Sequence, residues 1–204
     1  MLPENPESYA TLMRTFEWRL PARFNIGIAC ADEPASRHPD RPAIIDLEAD
    51  RRRTVTFSEL ARRSRRFAAA LVRAGISRGD RVAIMVPQSI EAAVTHLAVY
   101  RLGAIAVPMA TQFGPEAIAY RLDASGAKAF VAFQKGMART PADALSRLDL
   151  AVSTGPGAAG AAPWETLIAA GTDEVASAET TPDDPAMMLF TSGTTGQPKG
   201  ALHG

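Results

Sequence analysis

Cysteine is all but absent. Cys30 is the only one, so no disulfide forms within the chain, and the count fits a reducing compartment. A lone cysteine of this kind is expected to be a small buried side chain rather than a nucleophile. An excess of either charge is missing too. Lys plus Arg and Asp plus Glu number 22 each, which leaves no overall field to draw in nucleic acid or an anionic membrane. Long apolar runs are also lacking. The most apolar stretch, residues 92–109, is interrupted by His96, Arg101 and Gly103, so it is not a membrane span. Glu4 and Glu7 occupy the N-terminus, with no basic segment before an apolar core, so no secretory signal is read there. His96 has no His, Cys or carboxylate partner at metal-ligand spacing and reads as a packed or surface histidine. The default compartment is the cytoplasm.

With 204 residues, 47% of them hydrophobic and 22% charged, the chain has the makings of a soluble globular protein with a substantial core. Its first part predicts a short helix over residues 9–18, then a helix from Asn25, as cap, towards Arg37. Gly27 and Pro34 work against the regularity of that second helix. Strands are expected at 43–46 and 54–57, with Arg51-Arg52-Arg53 as the turn between them. Leu60, Ser64, Phe67, Ala68 and Leu71 mark one face of an amphipathic helix over 58–73, closed by Gly75. Its other face carries Arg62, Arg63, Arg65 and Arg66. Without interleaved aromatics and at net charge zero, these read as a solvated face and not as a nucleic-acid patch.

A repeating pattern follows. Apolar runs at 81–86, 104–108 and 129–133 alternate with helical patterns at 89–102 and 114–125, the last opened by Pro115 at the first helical position. Buried strands separated by helices of this length mean βαβ units, so the fold class is α/β with a mostly parallel sheet and flanking helices. A polar helix is expected over 142–148, a strand at 150–153 and a short helix over 164–170. The string Gly155-Pro156-Gly157-Ala158-Ala159-Gly160 matches G-x-G-x-x-G, with Asp173 and Glu174 downstream. It is rejected as a dinucleotide site, because Pro163 would interrupt the helix that should receive the pyrophosphate. Residues 172–185 read as a solvated connector into a buried strand at 186–190.

That strand delivers the most informative stretch, Thr191-Ser192-Gly193-Thr194-Thr195-Gly196-Gln197-Pro198-Lys199-Gly200. Glycines permit close backbone approach to a ligand, hydroxyls and successive amides form an anion nest, and Lys199 brings positive charge on a long stem. A polyphosphate holder is the natural reading. The P-loop pattern G-x-x-x-x-G-K-[ST] does not fit, since Pro198 stands at the second glycine and Gly200 follows the lysine. Gly193, Gly196 and Gly200 do not give G-x-G-x-x-G either.

The ten residues closely resemble the phosphate loop of the adenylate-forming (AMP-binding) superfamily, T-S-G-T-T-G-x-P-K-G. Further stretches agree: Thr56-Phe57-Ser58-Glu59-Leu60, Gly79-Asp80-Arg81-Val82-Ala83-Ile84 and Gly103-Ala104-Ile105-Ala106-Val107-Pro108. Tyr120-Arg121-Leu122, Ser125-Gly126-Ala127-Lys128-Ala129 and Phe24-Asn25 are most similar to its short- and medium-chain acyl-CoA synthetase branch, the acetyl-CoA synthetase relatives. The resemblance implies a two-step acid–thiol ligation with ATP, a carboxylic acid and coenzyme A as partners, and Mg²⁺ accompanying ATP. It assigns Thr191, Ser192, Gly193, Thr194, Thr195, Gly196, Gln197, Pro198 and Lys199 to the ATP phosphates, and no catalytic acid or base. The family's later motifs for adenine, ribose and magnesium, and the lysine of its C-terminal domain, are not in this sequence. The expectation is therefore a partial N-terminal AMP-binding domain over residues 1–204, from a truncated or partial product and inactive alone. Other adenylate-formers (an aryl-CoA ligase, a peptide-synthetase adenylation domain) and a non-catalytic nucleotide-binding or protein-interaction remnant stay open, as does the oligomeric state.

Overall fold

The computed structural model describes residues 8–17, 20–48, 51–155, 157–191 and 196–204. Helix α1 (Tyr9–Thr15) begins at Ser8, whose hydroxyl accepts the Thr11 amide. It ends three residues before the expected Trp18, which lies outside the described residues, because Phe16 turns to extended backbone. Asn25 caps the next helix as expected, its Oδ1 accepting the Ile28 amide at 3.1 Å. That helix is irregular: Ile28–Asp32 is a π turn, and α2 covers Glu33–Arg37. Pro34, lacking an amide hydrogen, sits just past the π turn, at the junction where the helix changes its hydrogen-bond pattern.

Strands β1 (Pro42–Glu48) and β2 (Arg51–Thr56) form an antiparallel pair of their own. The three arginines expected as a turn belong to β2, because Arg53 faces Asp46 in register and bonds it at 2.6 Å. Helix α3 (Phe57–Arg73) starts one residue earlier than the apolar spacing predicts. Thr56 and Glu59 make a reciprocal capping box, Glu59 N to Thr56 Oγ1 at 3.3 Å and Thr56 N to Glu59 Oε2 at 3.0 Å. Phe57 is thereby helical and not the end of a strand. The face of Leu60, Ser64, Phe67, Ala68 and Leu71 is buried throughout. The opposite face is less solvated than expected, since Arg65 pairs with Asp32 and Arg66 with Asp173.

The alternation that follows is as read: β3 (Arg81–Met85), α4 (Ile90–Arg101), β4 (Ile105–Pro108), α5 (Pro115–Ser125) and β5 (Ala127–Ala132). Then come α6 (Gln134–Arg139), which the sequence reading did not foresee, and α7 (Ala142–Leu145), shorter than expected. The chain closes with β6 (Leu150–Ser153), β7 (Ala162–Pro163), α8 (Trp164–Ala169), β8 (Met187–Thr191) and β9 (Lys199–His203). The glycine string at 155–160 leads to β7 and not into a helix, so no helix N-terminus receives a pyrophosphate there.

Seven strands form the main sheet in the order β7-β6-β5-β3-β4-β8-β9, parallel at every pair except β8–β9. Alternate side chains serve opposite faces. Val82 and Ile84 pack with Phe67, Leu71, Val94 and Trp164 beneath α3, α4 and α8. Ala83 and Met85 pack with Ile118, Leu122, Phe130 and Met137 beneath α5 and α6. Burial on both faces explains why these strands read as continuous apolar runs.

Three expectations are corrected at the margins. Strand β8 is only half-buried, because it meets β4 at a single register pair and its other neighbour, β9, is an exposed edge. The connector at 172–185 is partly anchored: the Ala178 amide bonds the Arg101 carbonyl at 2.8 Å, and buried Thr180 pairs with Phe24 through backbone and hydroxyl at 2.8 and 2.6 Å. Cys30 is exposed and not buried. Partial desolvation and the nearby Glu33 carboxylate raise its thiol pKa, which disfavours the thiolate.

Candidate functional site

Strand β8 runs parallel to β3, β4, β5 and β6, so it delivers the Gly/Ser/Thr loop at the carboxyl edge of the sheet. That is the edge where open α/β sheets hold their ligands. The chain returns as β9, antiparallel to β8, so the segment between them joins two neighbouring strands and does not lead into a helix. Thr191 and Lys199 are the closing pair of the ladder, directly opposite one another. The fold thus brings both ends of the predicted site together across one rung.

Gly196, Gln197 and Pro198 share the return arm. Gly196 has φ of 107°, a conformation that a Cβ would strain. Ser192, Gly193, Thr194 and Thr195 lie outside the described residues. Thr191, Gly196, Gln197 and Lys199 are exposed and Pro198 is half-buried, so the described part of the loop faces solvent. No carboxylate pairs with Lys199 among the described residues. Its ammonium is therefore free to meet an anionic ligand.

The base of the hairpin is packed closely. Gly200 faces Phe190 across the ladder, and a Cβ there would come within 2.8 Å of Met188 Sδ. Helix α5 lies against this base and holds the return arm. The Tyr120 hydroxyl donates to the Pro198 carbonyl at 2.8 Å, and its ring meets Phe190 edge-on, centroids 6.3 Å apart. The next residue, Arg121, is buried with its guanidinium 3.9 Å from the Phe113 ring centroid and 5.7 Å from that of Phe190. Desolvation lowers its pKa, and the aromatic faces compensate the buried charge in part.

Reasoning from the loop string alone assigns no part to Tyr120, Phe190 or Arg121. The available signal was Tyr120-Arg121-Leu122 as a matching string; the contact across 78 positions could not be read from spacing. Among the described residues, no group of three or more His, Cys, Asp or Glu side chains is arranged to hold a metal ion. No described helix is long and apolar enough to cross a membrane.

Comparison with known proteins agrees with this architecture. A family model described as AMP-binding enzyme matches residues 31–204. Acetyl-coenzyme A synthetase of Shewanella sp. (strain ANA-3) is 32% identical over 93% of this chain and 32% of its own length. The same enzyme of Escherichia coli (strain K12) is 30% identical over 96% of this chain and 33% of its own. The chain thus spans about a third of the length of these relatives. Among solved structures, the Brucella canis acyl-CoA synthetase superposes with a TM-score of 0.81 at 28% identity, covering 95% of this chain and 37% of that one. An anthranilate CoA ligase in complex with anthranoyl-AMP gives 0.77 at 25% identity, covering 90% and 35%. With the parallel sheet, the hairpin at its carboxyl edge and a family match over most of its residues, this chain belongs to the AMP-binding enzyme family.

Proposed function

We propose that this chain is the phosphate-holding part of an ATP-dependent acyl-CoA synthetase, the first section of its N-terminal AMP-binding domain. The observation that carries the reading is the antiparallel pairing of Thr191 with Lys199 at the carboxyl edge of a parallel sheet, with no carboxylate on Lys199 among the described residues. Similarity to acetyl-coenzyme A synthetases supports the choice of reaction.

In the first step a carboxylate oxygen attacks the α-phosphorus of ATP. A P–O bond forms, the bond to the bridging oxygen of the β-phosphate breaks, and pyrophosphate leaves with the electron pair. In the second step the CoA thiolate attacks the acyl carbon and AMP leaves. Thr191 through Lys199 act in the first step by holding the β- and γ-phosphates, so that the α-phosphate lies in line with the carboxylate. Hydroxyls of Ser192, Thr194 and Thr195 donate to phosphate oxygens, Gly193 and Gly196 permit close backbone approach, and Gln197 and Pro198 shape the return arm. Lys199 neutralises charge that grows on the departing pyrophosphate. These groups work by positioning and electrostatics; none is a nucleophile or a general base. Mg²⁺ enters as part of the MgATP substrate, and no residue here is assigned to it. The reading places the reaction in the cytoplasm, where ATP and CoA are at hand.

A second reading, an aryl-CoA ligase, draws on the likeness to the anthranilate CoA ligase. Carboxylate-dependent exchange of labelled pyrophosphate into ATP tests both, in a protein of the relatives' length that carries these residues. Acetate-driven exchange supports the acetyl-CoA synthetase type, and exchange with benzoate or anthranilate alone supports the aryl ligase. Absence of exchange with every acid would refute the ligase reading. The 204 residues by themselves are expected to bind polyphosphate without supporting exchange.

A further inference from the structure

We propose that Tyr120 is a positioning residue that fixes the root of Lys199, an inference that rests on the phosphate-holding role of the loop. Three observations converge on it. First, the Tyr120 hydroxyl donates to the Pro198 carbonyl at 2.8 Å, the only side-chain hydrogen bond made to the described residues of the loop. Pro198 has no amide hydrogen with which to strengthen the ladder, so its carbonyl is the handle by which this peptide can be held. Second, the Tyr120 ring rests edge-on against Phe190, which directly precedes Thr191. One side chain on α5 therefore touches both arms of the hairpin at its base. Third, among the described residues β9 is the last strand of the sheet and is exposed along its whole length, so within them Tyr120 is the side chain that steadies the root of Lys199.

The physical consequence follows from the chemistry of lysine. Its ammonium sits on four rotatable methylenes and is a point charge, without the planar fork that pre-organises arginine. A defined ammonium position requires at least a defined Cα. The peptide before that Cα is the one Tyr120 holds. Loss of the hydroxyl should let the return arm shift and spread the ammonium over more positions, while leaving the ring packing and the rest of the sheet in place.

Tripolyphosphate is the probe, and its binding to the 204-residue chain is measured by titration calorimetry in a double-mutant cycle. Tyr120→Phe keeps the ring on Phe190 and removes only the oxygen. It is expected to weaken binding by about 2- to 12-fold, the range corresponding to one ordinary hydrogen bond. Lys199→Met should weaken it further. If Tyr120 acts through Lys199, adding Tyr120→Phe to Lys199→Met changes affinity by less than about twofold, the non-additivity of residues that act as a unit. Equal losses from Tyr120→Phe in both backgrounds would overturn the inference, as would no loss in either. Tripolyphosphate binding that is absent from the unsubstituted chain, or indifferent to Lys199→Met, would overturn the phosphate-loop reading itself and this inference with it. The signatures are distinct.

Discussion

Removal of Asp32 should cost the fold heavily, because its carboxylate bridges two arginines, one of them buried. Its two oxygens each meet a guanidinium at 2.5 Å, Oδ1 with Arg65 and Oδ2 with Arg101. Arg101 is the more demanding partner. Its side chain is 2% exposed, against 24% for Asp32, and its other side-chain bonds among the described residues go to the neutral hydroxyls of Ser177 at 3.0 Å and Ser64 at 3.2 Å. Asp32→Ala would leave a buried cation without a carboxylate. Breaking a buried pair from one side costs about 3–5 kcal/mol, and the surviving hydroxyls put this case at about 3. Arg101→Met is the control. Asp32 would keep Arg65 and its access to water, and Met fills the volume of the stem, so a loss of about 1 kcal/mol is expected. Urea denaturation separates them: at an m-value of about 2 kcal/mol/M, Asp32→Ala should lower the midpoint by about 1.5 M and Arg101→Met by about 0.5 M. Equal losses, or an Asp32→Ala midpoint within about 0.2 M of wild type, would show that this cluster is not the desolvated pair described. The cluster matters to the site because the Arg101 side chain bonds the Ser177 hydroxyl at 3.0 Å, beside the Ala178 amide held by the Arg101 carbonyl, and so helps tether the connector into β8.

Two further outcomes are expected elsewhere. A Cβ on Gly27 would stand 2.8 Å from the Leu97 carbonyl oxygen and 3.0 Å from Arg101 Cα; backbone cannot yield as a flexible side chain can, so Gly27→Ala should destabilise by at least about 1–3 kcal/mol, and a neutral result in urea would contradict the close approach of this helix to α4. His96 is partly buried beside the Tyr100 hydroxyl, and desolvation lowers its pKa. The unfolded chain takes up the proton first as pH falls, at the ordinary value of about 6.5. Stability from this residue is therefore whole above that pH and lost progressively below it, down to the depressed folded value. Between about pH 7.5 and 5.5 the wild-type melting temperature should fall more than that of His96→Gln; parallel falls would refute the sign.

The elements that could be read from the sequence were those whose signal is local. Apolar runs at β3, β4 and β5 are short, bounded by Pro or Gly and separated by helices, and burial on both faces leaves no other pattern for them. Asn25 and Pro115 announced helix starts through their own chemistry. Boundaries failed where a side chain reaches back or across, as with the Thr56–Glu59 box and the Arg53–Asp46 rung. Strand order was not legible, because every buried apolar run looks alike to its neighbours. Nothing in the sequence shows that β8, after three strands laid on the far side of β3, returns to the β4 edge. The connector before β8 was misjudged for a related reason. Its Asp, Glu, Thr and Pro composition looks solvated, yet Ser177, Ala178 and Thr180 bond residues 76 to 156 positions away. Of the candidate site, the loop string is visible in the sequence itself, whereas the Tyr120 contact depends on tertiary packing.

The most direct test of the phosphate-holding reading is Lys199→Ala in pyrophosphate exchange, in a protein of the relatives' length that carries this chain. On this reading backbone amides and hydroxyls keep part of the hold on the ground-state phosphates, so the KM for ATP should rise by about tenfold, in line with the loss expected for tripolyphosphate and less than the loss in kcat. The charge that grows on departing pyrophosphate loses its positioned cation, so kcat for adenylation should fall by about 10²–10³, the usual loss for a pre-organised electrostatic group. Transfer to CoA from supplied acyl-adenylate should change far less. Lys199→Arg should restore little, because a planar guanidinium does not reproduce the point charge beside Pro198. Wild-type exchange in both variants would contradict the account and return the Gly/Ser/Thr run to the status of an exposed turn.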